Sequence, residues 1–269
     1  MSFSIAGKTA VVTGAANGVG LAVARHFVEK GANVMLADMD EERLADEVGK
    51  RKEADDTNIA YFAGDLREKL TVANLLSATI DKFDRVEILV NASRQMLVSD
   101  PLNAEDDAVT ELLNQNLMTS LRLSQVFAKR MIKQAAETDP ETPAGSIINL
   151  SSIAARRTQP NLLAYSVSSA ALDQLTRSMA VALAPHNIRV NAIALGSVMS
   201  ASLKGALKED ADLRDEIIDS TPLNRIASPT ELAEVAQFLA SDGSNFMTGQ
   251  ILTVDGGRTL VDAAEAAAH

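Results

Sequence analysis

The chain has no cysteine among its 269 residues, which excludes disulfides and any reaction that needs a thiolate. Histidine is nearly as scarce. His26, His186 and His269 lie far apart and form no metal-ligand pattern, so a catalytic metal is not expected. Aromatic residues make up 3% of the chain, too few for a sugar-stacking platform. Apolar runs stop well short of the ~18 residues a membrane span requires. Residues 1–8 show none of the charged-then-apolar pattern of a signal peptide. The expectation is a cytoplasmic protein without membrane contact. No basic cluster interrupts a net charge of −11, so nucleic acid is not an expected partner.

What is present reads as one globular domain spanning residues 1–269. Hydrophobic residues make up 46% and charged residues 23%, and the length suffices for a large core. Short apolar runs occur at 9–13, 33–37, 59–63, 86–90, 146–150, 189–194 and 250–254. Most are nearly continuous in Val, Ile, Leu and Ala, as strands covered on both faces require. Longer amphipathic stretches separate them, at 19–30, 41–51, 68–83, 106–136, 162–184 and 230–240. This alternation predicts an α/β fold, a doubly wound parallel sheet of about seven strands between helices. Ser228-Pro229-Thr230-Glu231 is a helix start, with a capping hydroxyl, a Pro at the first position and an acid in the first turn. Two segments break the rhythm, a Pro-rich surface loop at 137–145 and a polar, weakly helical stretch at 197–220. The tail 261–269 is rich in Ala.

The first strand leads into Thr13-Gly14-Ala15-Ala16-Asn17-Gly18-Val19-Gly20. Glycines there let backbone N–H groups and a helix N-terminus approach a pyrophosphate, with Asn17 and Val19 in the same turn. Taken alone, such glycines also mark ordinary strand–helix turns. Asp38 strengthens the reading, since it ends the second strand 18 residues after Gly20. A carboxylate there accepts hydrogen bonds from a ribose and repels a 2′-phosphate. Ala15, Ala16 and Met39 supply no positive charge, so NAD is expected over NADP.

Further along stand Asn149-Leu150-Ser151-Ser152 and, thirteen positions after Ser152, Tyr165-Ser166-Val167-Ser168-Ser169. The ordered set resembles the short-chain dehydrogenase/reductase family, whose members carry T-G-x-x-x-G-x-G and Ser…Tyr-x-x-x-Lys. The resemblance spans nearly the whole chain. It implies that Tyr165 is the general acid/base beside the cofactor, that Ser152 binds the reacting oxygen, and that Asn116 anchors a water in the proton path. It implies cofactor contacts at Gly14, Asn17, Gly18, Val19, Gly20 and Asp38, and at Asp65-Leu66, Asn91-Ala92, Gly196, Val198 and Ser200. Without the resemblance, Asp65 reads equally well as a helix cap. It also implies that 197–220 covers a small-molecule alcohol or ketone, and that the chain forms a homo-oligomer, dimer or homotetramer, through the long helices and the last strand.

Three positions depart from the family. Ser93 and Leu195 replace a usual Gly and Pro, and Ser169 replaces the active-site Lys. All three fall toward the nicotinamide half of the site. Ser169 lies one helical turn after Tyr165, on the same face, and holds a water or a hydroxyl but supplies no charge. A free phenol titrates at about 10, so roughly one in a thousand is ionised at pH 7 without help. Arg156 and Arg157, just beyond Ser152, are the candidate replacement cations, or else solvated surface charge. Three functions stay open on the sequence: an NAD-dependent alcohol/carbonyl oxidoreductase with an altered tetrad, an NAD-binding sensor or partner subunit without turnover, and a non-redox enzyme such as a dehydratase or epimerase. In segment 197–220, Met199, Leu203, Ala206 and Leu207 beside Lys204 and Lys208 suit a sterol, a sugar or a hydroxyacid equally.

Overall fold

The computed structural model describes residues 3–52, 58–137, 142–210 and 212–262. The apolar runs form strands β1 (Thr9–Thr13), β2 (Asn33–Asp38), β3 (Ile59–Ala63), β4 (Ile88–Asn91), β5 (Gly145–Ser152), β6 (Ile188–Leu195) and β7 (Ile251–Val254). They pair in parallel in the order β3-β2-β1-β4-β5-β6-β7. Every residue of β1, β4, β5 and β6 is buried, which explains why those runs lack alternation.

Parallel neighbours require crossovers, and helices supply them. These are α1 (Gly18–Glu29), α2 (Glu41–Lys52), α3 (Lys69–Phe83), α4 (Ala108–Leu112), α5 (Thr119–Ala135), α6 (Leu163–Leu183), α7 (Ala201–Glu209), α8 (Leu213–Asp219) and α9 (Pro229–Ala240). Successive strand residues point to opposite faces. Val12, Val90 and Ile148 pack with Phe27 of α1 and Leu232 and Leu239 of α9. Val11, Leu89 and Ile147 pack with Leu75 of α3 and Phe127 and Met131 of α5. The result is the expected doubly wound α/β sandwich. Strand order reverses between β1 and β4, so the loops leaving those strands diverge and open a crevice at their carboxyl ends.

Two differences from the expected elements have local causes. Strand β4 begins at Ile88 rather than 86, because the side chain of Gln134 takes the place of a strand neighbour for Val86. Its Oε1 accepts from the Val86 N–H at 3.2 Å and its Nε2 donates to the Val86 carbonyl at 2.9 Å. The helix expected over 106–136 is interrupted by a π-turn at Leu113–Met118. A π-turn accommodates one extra residue per turn and rotates the side chains within it. Here it buries Asn116. Segment 197–220 carries two short helices, α7 and α8. Of the loop expected at 137–145, residues 138–141 lie outside the described residues, as do residues 263–269 of the Ala-rich tail.

The helix start at Ser228 forms as expected. Ser228 Oγ accepts from the Thr230 N–H, and Glu231 accepts from the Ser228 N–H at 2.8 Å. Arg225 adds two hydrogen bonds of 2.7 Å to the Glu231 carboxylate. Arg225 first, and then the Ser228 N–H, lower the Glu231 pKa to about 2. Because that value lies below the unfolded one, Glu231 contributes stability above about pH 4.5 and loses it as pH falls toward 2. The Tm of Glu231→Gln is therefore expected to lie below wild type at neutral pH, with the gap narrowing as pH drops below about 4.5 in thermal melts.

Candidate active site

The crevice begins where β1 meets α1. A Cβ on Gly14 would lie 2.8 Å from the backbone of Ala92 and Ser93, and one on Gly20 only 2.2 Å from the Gly14 carbonyl oxygen. Gly14 (φ +64°) and Gly18 (φ +57°) are also left-handed, where a side chain is strained. The turn thus closes only with glycine at Gly14 and Gly20. Asn17 is the N-cap of α1 but its side chain makes no capping bond, and no acid occupies the first turn. The N–H groups of Gly18, Val19 and Gly20 therefore project from a helix N-terminus without intrahelical acceptors. That donor set suits a pyrophosphate.

The adenosine end is built by β2 and β3. Asp38 Oδ2 accepts from the Ala16 N–H at 3.1 Å, and Oδ1 accepts from the Met39 and Asp40 N–H groups at 2.7 and 3.2 Å. These bonds aim the carboxylate at the glycine turn. Asp65 is not the cap of α3, since Glu68 holds that position. Its carboxylate is forked by Arg67 at 2.7–3.0 Å, and this pairing lowers its pKa below the usual carboxylate range. Leu66 is buried with Val72 and Leu75.

Thr13 ties the two sides of the crevice together. Its Oγ1 accepts from the Ala92 and Ser93 N–H groups at 3.0 and 3.1 Å. The Asn91 amide points the other way, donating to Asn149 Oδ1 at 2.8 Å and Ser124 Oγ at 3.2 Å. It links β4 to β5 and α5, so any cofactor contact here is made by backbone. After β6, a Cβ on Gly196 would lie 2.8 Å from the Asp255 Cβ, and Val198 bridges to Ala227. Ser200 caps α7 through the Leu203 N–H, and its Cβ lies 3.8 Å from where a Gly18 Cβ would stand. The glycine turn and the stretch after β6 therefore face each other.

At the chemical end, Ser152 ends β5 and Tyr165 lies in the first turn of α6. Ser152 Oγ accepts from the Ala154 N–H at 3.1 Å and donates to no side chain among the described residues. Its hydroxyl proton is therefore the group it presents. Tyr165 is buried in a small cluster with Ala108, Leu112, Ala154 and Ala164. Its hydroxyl accepts a 2.7 Å hydrogen bond from Nη1 of Arg94. The same nitrogen donates to the Ser151 carbonyl at 3.2 Å. The Asn116 amide is committed to protein: Oδ1 accepts from the Gln95 N–H at 2.8 Å, and Nδ2 donates to the Gln95 carbonyl at 2.9 Å and Ser168 Oγ at 3.2 Å.

Among curated proteins, the chain is 34% identical over 261 residues to cis-4-hydroxycyclohexanecarboxylate dehydrogenase of Sinomonas cyclohexanicum, covering 97% of this chain and all of that one. Two solved structures superpose with a TM-score of 0.87 each. One is 7α-hydroxysteroid dehydrogenase with NADH and 7-oxoglycochenodeoxycholic acid (28% identical, covering 95% of this chain and 96% of that one). The other is a gluconate 5-dehydrogenase of Burkholderia cenocepacia with NADP and tartrate (29% identical, covering 97% and 98%). A family model described as enoyl-(acyl carrier protein) reductase matches residues 14–259. The chain belongs to the short-chain dehydrogenase/reductase family. It is an oxidoreductase, of a family that interconverts alcohols and carbonyls with a nicotinamide cofactor.

The three positions expected to depart from the family stand on three different elements, after β4, at the end of β6 and in α6. Ser93 does not adopt a positive φ, and its hydroxyl accepts from Gln115 Nε2 of the π-turn at 3.1 Å. Leu195 is buried in the core and pairs with Ser152. Ser169 is buried beneath Tyr165. The two arginines expected near the site reach elsewhere. Arg156 donates to Thr253 Oγ1 at 3.1 Å and lies 4.0 Å from Asp173, and Arg157 binds the Thr259 carbonyl. The cation that reaches the Tyr165 hydroxyl in this short-chain dehydrogenase/reductase is Arg94, which sequence reasoning passed over. The available signal was its position, directly after Asn91-Ala92-Ser93 at the end of the strand beside β5.

The glycine turn gives a direct check. Gly20→Ala is expected to weaken dinucleotide affinity by at least about tenfold, since the added methyl displaces the backbone that lines the turn. Gly49→Ala in α2, where a Cβ meets nothing within 4 Å, is expected to leave binding unchanged and stabilise by about 0.5–1 kcal/mol. Fluorescence titration with reduced dinucleotide and thermal melts separate the two.

Proposed function

We propose that this enzyme is an NAD-dependent dehydrogenase/reductase that interconverts a secondary alcohol and its ketone, with Tyr165 as the proton-transfer residue. The carrying observation is that the Tyr165 hydroxyl, set beside the end of β5, already accepts a charge-assisted hydrogen bond from Arg94 at 2.7 Å. When bound, the nicotinamide supplies the hydride acceptor or donor at the carbinol carbon. The chain manages the proton. Ser152 donates its free hydroxyl proton to the substrate oxygen and holds it, while Tyr165 Oη takes the hydroxyl proton in oxidation and returns it in reduction. Asn116 fixes the loop that carries Gln95 and, through Ser168, the first turn of α6.

NAD is favoured over NADP by the placement of Asp38. Its carboxylate is held against the glycine turn by three backbone N–H groups, so a 2′-phosphate would meet a fixed negative charge. Gly14, Asn17, Gly18, Val19 and Gly20 serve the pyrophosphate. Asp65, Leu66, Asn91, Ala92, Gly196, Val198 and Ser200 complete the cofactor wall. Helices α7 and α8, within residues 197–220, cover the substrate as one domain-internal lid. The compounds named for three relatives, cis-4-hydroxycyclohexanecarboxylate, 7-oxoglycochenodeoxycholic acid and gluconate, are secondary alcohols or ketones that bear a carboxylate, and such compounds are the substrate class proposed. The protein acts in the cytoplasm as a homo-oligomer, dimer or tetramer. Exposed Val167 and Val181 on α6 and Phe246 before β7 supply apolar surface for that contact, and no described helix is long and apolar enough to cross a membrane.

In a panel of such alcohols assayed with NAD and NADP, NAD is expected to give at least about tenfold higher kcat/KM, with Asp38→Ser narrowing the gap. Tyr165→Phe is expected to reduce kcat by about 10²–10⁴-fold while retaining dinucleotide binding. Full turnover in Tyr165→Phe would sink the assignment, and dinucleotide binding without turnover on any panel member would favour a sensor or partner subunit.

A further inference from the structure

We infer that Arg94 is the catalytic cation of this site, taking over from the β4 loop the charge that the α6 position of Ser169 lacks. The inference rests on the reading of Tyr165 as the proton-transfer residue. Ser169 is buried one turn beyond Tyr165 and is neutral. Arg94 reaches the phenol from a different element, 71 residues away in sequence. Its guanidinium carbon lies 5.9 Å from the Tyr165 ring centroid, at the outer reach of a cation–π contact, and the close contact is the 2.7 Å hydrogen bond to the hydroxyl. A guanidinium stays charged at every working pH and only donates hydrogen bonds. Its partner is consequently the oxygen lone pair, and the bond strengthens when that oxygen becomes an anion.

The placement of Arg94 is over-determined. Ser93, on one side, is held by the Thr13 hydroxyl through its N–H and by Gln115 through its Oγ. Gln95, on the other, is clamped through both its N–H and its carbonyl by the amide of Asn116. The Ser151 carbonyl fixes the guanidinium itself. Asn116 is thus a positioning residue, holding the loop that carries the cation. Four other charged groups on elements packed around Tyr165 have interactions of their own. On α6, Asp173 accepts from Ser151 Oγ at 2.6 Å, and burial raises its pKa. On the turn after β5, Arg156 faces Asp173 and Arg157 faces Thr259. On α4, Glu111 is exposed and acts on Arg67.

In oxidation the alcohol O–H bond breaks and its proton goes to Tyr165 Oη, a bound nicotinamide being the group that would supply the hydride acceptor. In reduction Tyr165 Oη returns the proton. Arg94 transfers nothing; it stabilises the negative oxygen that exists before the proton arrives in the first direction and after it leaves in the second.

Two tyrosines, Tyr61 and Tyr165, are the whole phenol content of the chain, which permits a test that needs no substrate. In a Tyr61→Phe background the chain, which has no Trp, has one phenol, so the tyrosine absorption and fluorescence bands at neutral pH report Tyr165 alone. Arg94→Gln is expected to shift those bands by removing the hydrogen bond to the hydroxyl, and Arg94→Lys to hold them near wild type. In turnover, Arg94→Gln is expected to lose about 10²–10⁴-fold in kcat at neutral pH with little change in KM. Ser169→Lys added to Arg94→Gln is expected to restore most of that loss. Unmoved bands in folded Arg94→Gln protein, or full neutral-pH turnover in that variant while Tyr165→Phe is inactive, overturns the role of Arg94 and leaves Tyr165 in place. Shifted bands in a protein that turns over no alcohol support the charge pairing and overturn the dehydrogenase reading.

Discussion

The close approach of the backbone after β1 to the backbone after β4 is the constraint on which the site depends. The Gly14 backbone approaches that of Ala92 and Ser93 more closely than any side chain would allow, and the Thr13 hydroxyl bridges the gap to both N–H groups. Two loops that must diverge to open a crevice are thereby locked together at its base. One carries the helix N-terminus that suits a pyrophosphate, and the other carries Arg94. The distance between cofactor turn and catalytic charge is set by three residues and one hydroxyl. A doubly wound sheet concentrates function at the strand reversal because only there do neighbouring loops separate.

In the proposed reading, the charge beside the phenol comes from the β4 loop and not from α6. A phenol that works near neutral pH requires a cation or an equivalent donor beside its oxygen. A helix position four residues along is one place to hold it, because that spacing returns to the same face. The loop after the neighbouring strand is another, provided it is rigid. Here rigidity comes from the π-turn, whose Gln115 and Asn116 bind the loop residues on either side of Arg94.

Much of this was legible in the sequence. The strand runs at 9–13 and 59–63 have the observed limits, because continuous apolar residues between polar turns leave little choice. The Ser228 helix start was readable because capping chemistry is local. Legibility failed where a side chain from a distant segment intervened. Gln134 replaces a strand partner for Val86, and no pattern near residue 86 announces it. The π-turn is similarly silent, since its hydrophobic spacing differs from helical spacing by a single residue. Arg94 was missed because cations were sought beside Ser152 in the chain, whereas the parallel sheet makes residues after β4 closer to Tyr165 than Arg156 and Arg157 are. The placement of Asp38, Ser152 and Tyr165 followed from ordered motifs, each at the carboxyl end of a strand or in the helix turn beside one.

A guanidinium beside the phenol, as proposed, differs from an ammonium in what limits the site at its extremes. An ammonium at about 10.4 titrates in nearly the same range as a free phenol, so the two would exchange roles under strong alkali. A guanidinium does not give up its proton in a protein. Arg94 faces the Tyr165 hydroxyl with a group that only donates hydrogen bonds and offers no lone pair in return. The pair is therefore one-directional, and the tyrosine oxygen is the single atom through which it can pass a proton to or from a substrate.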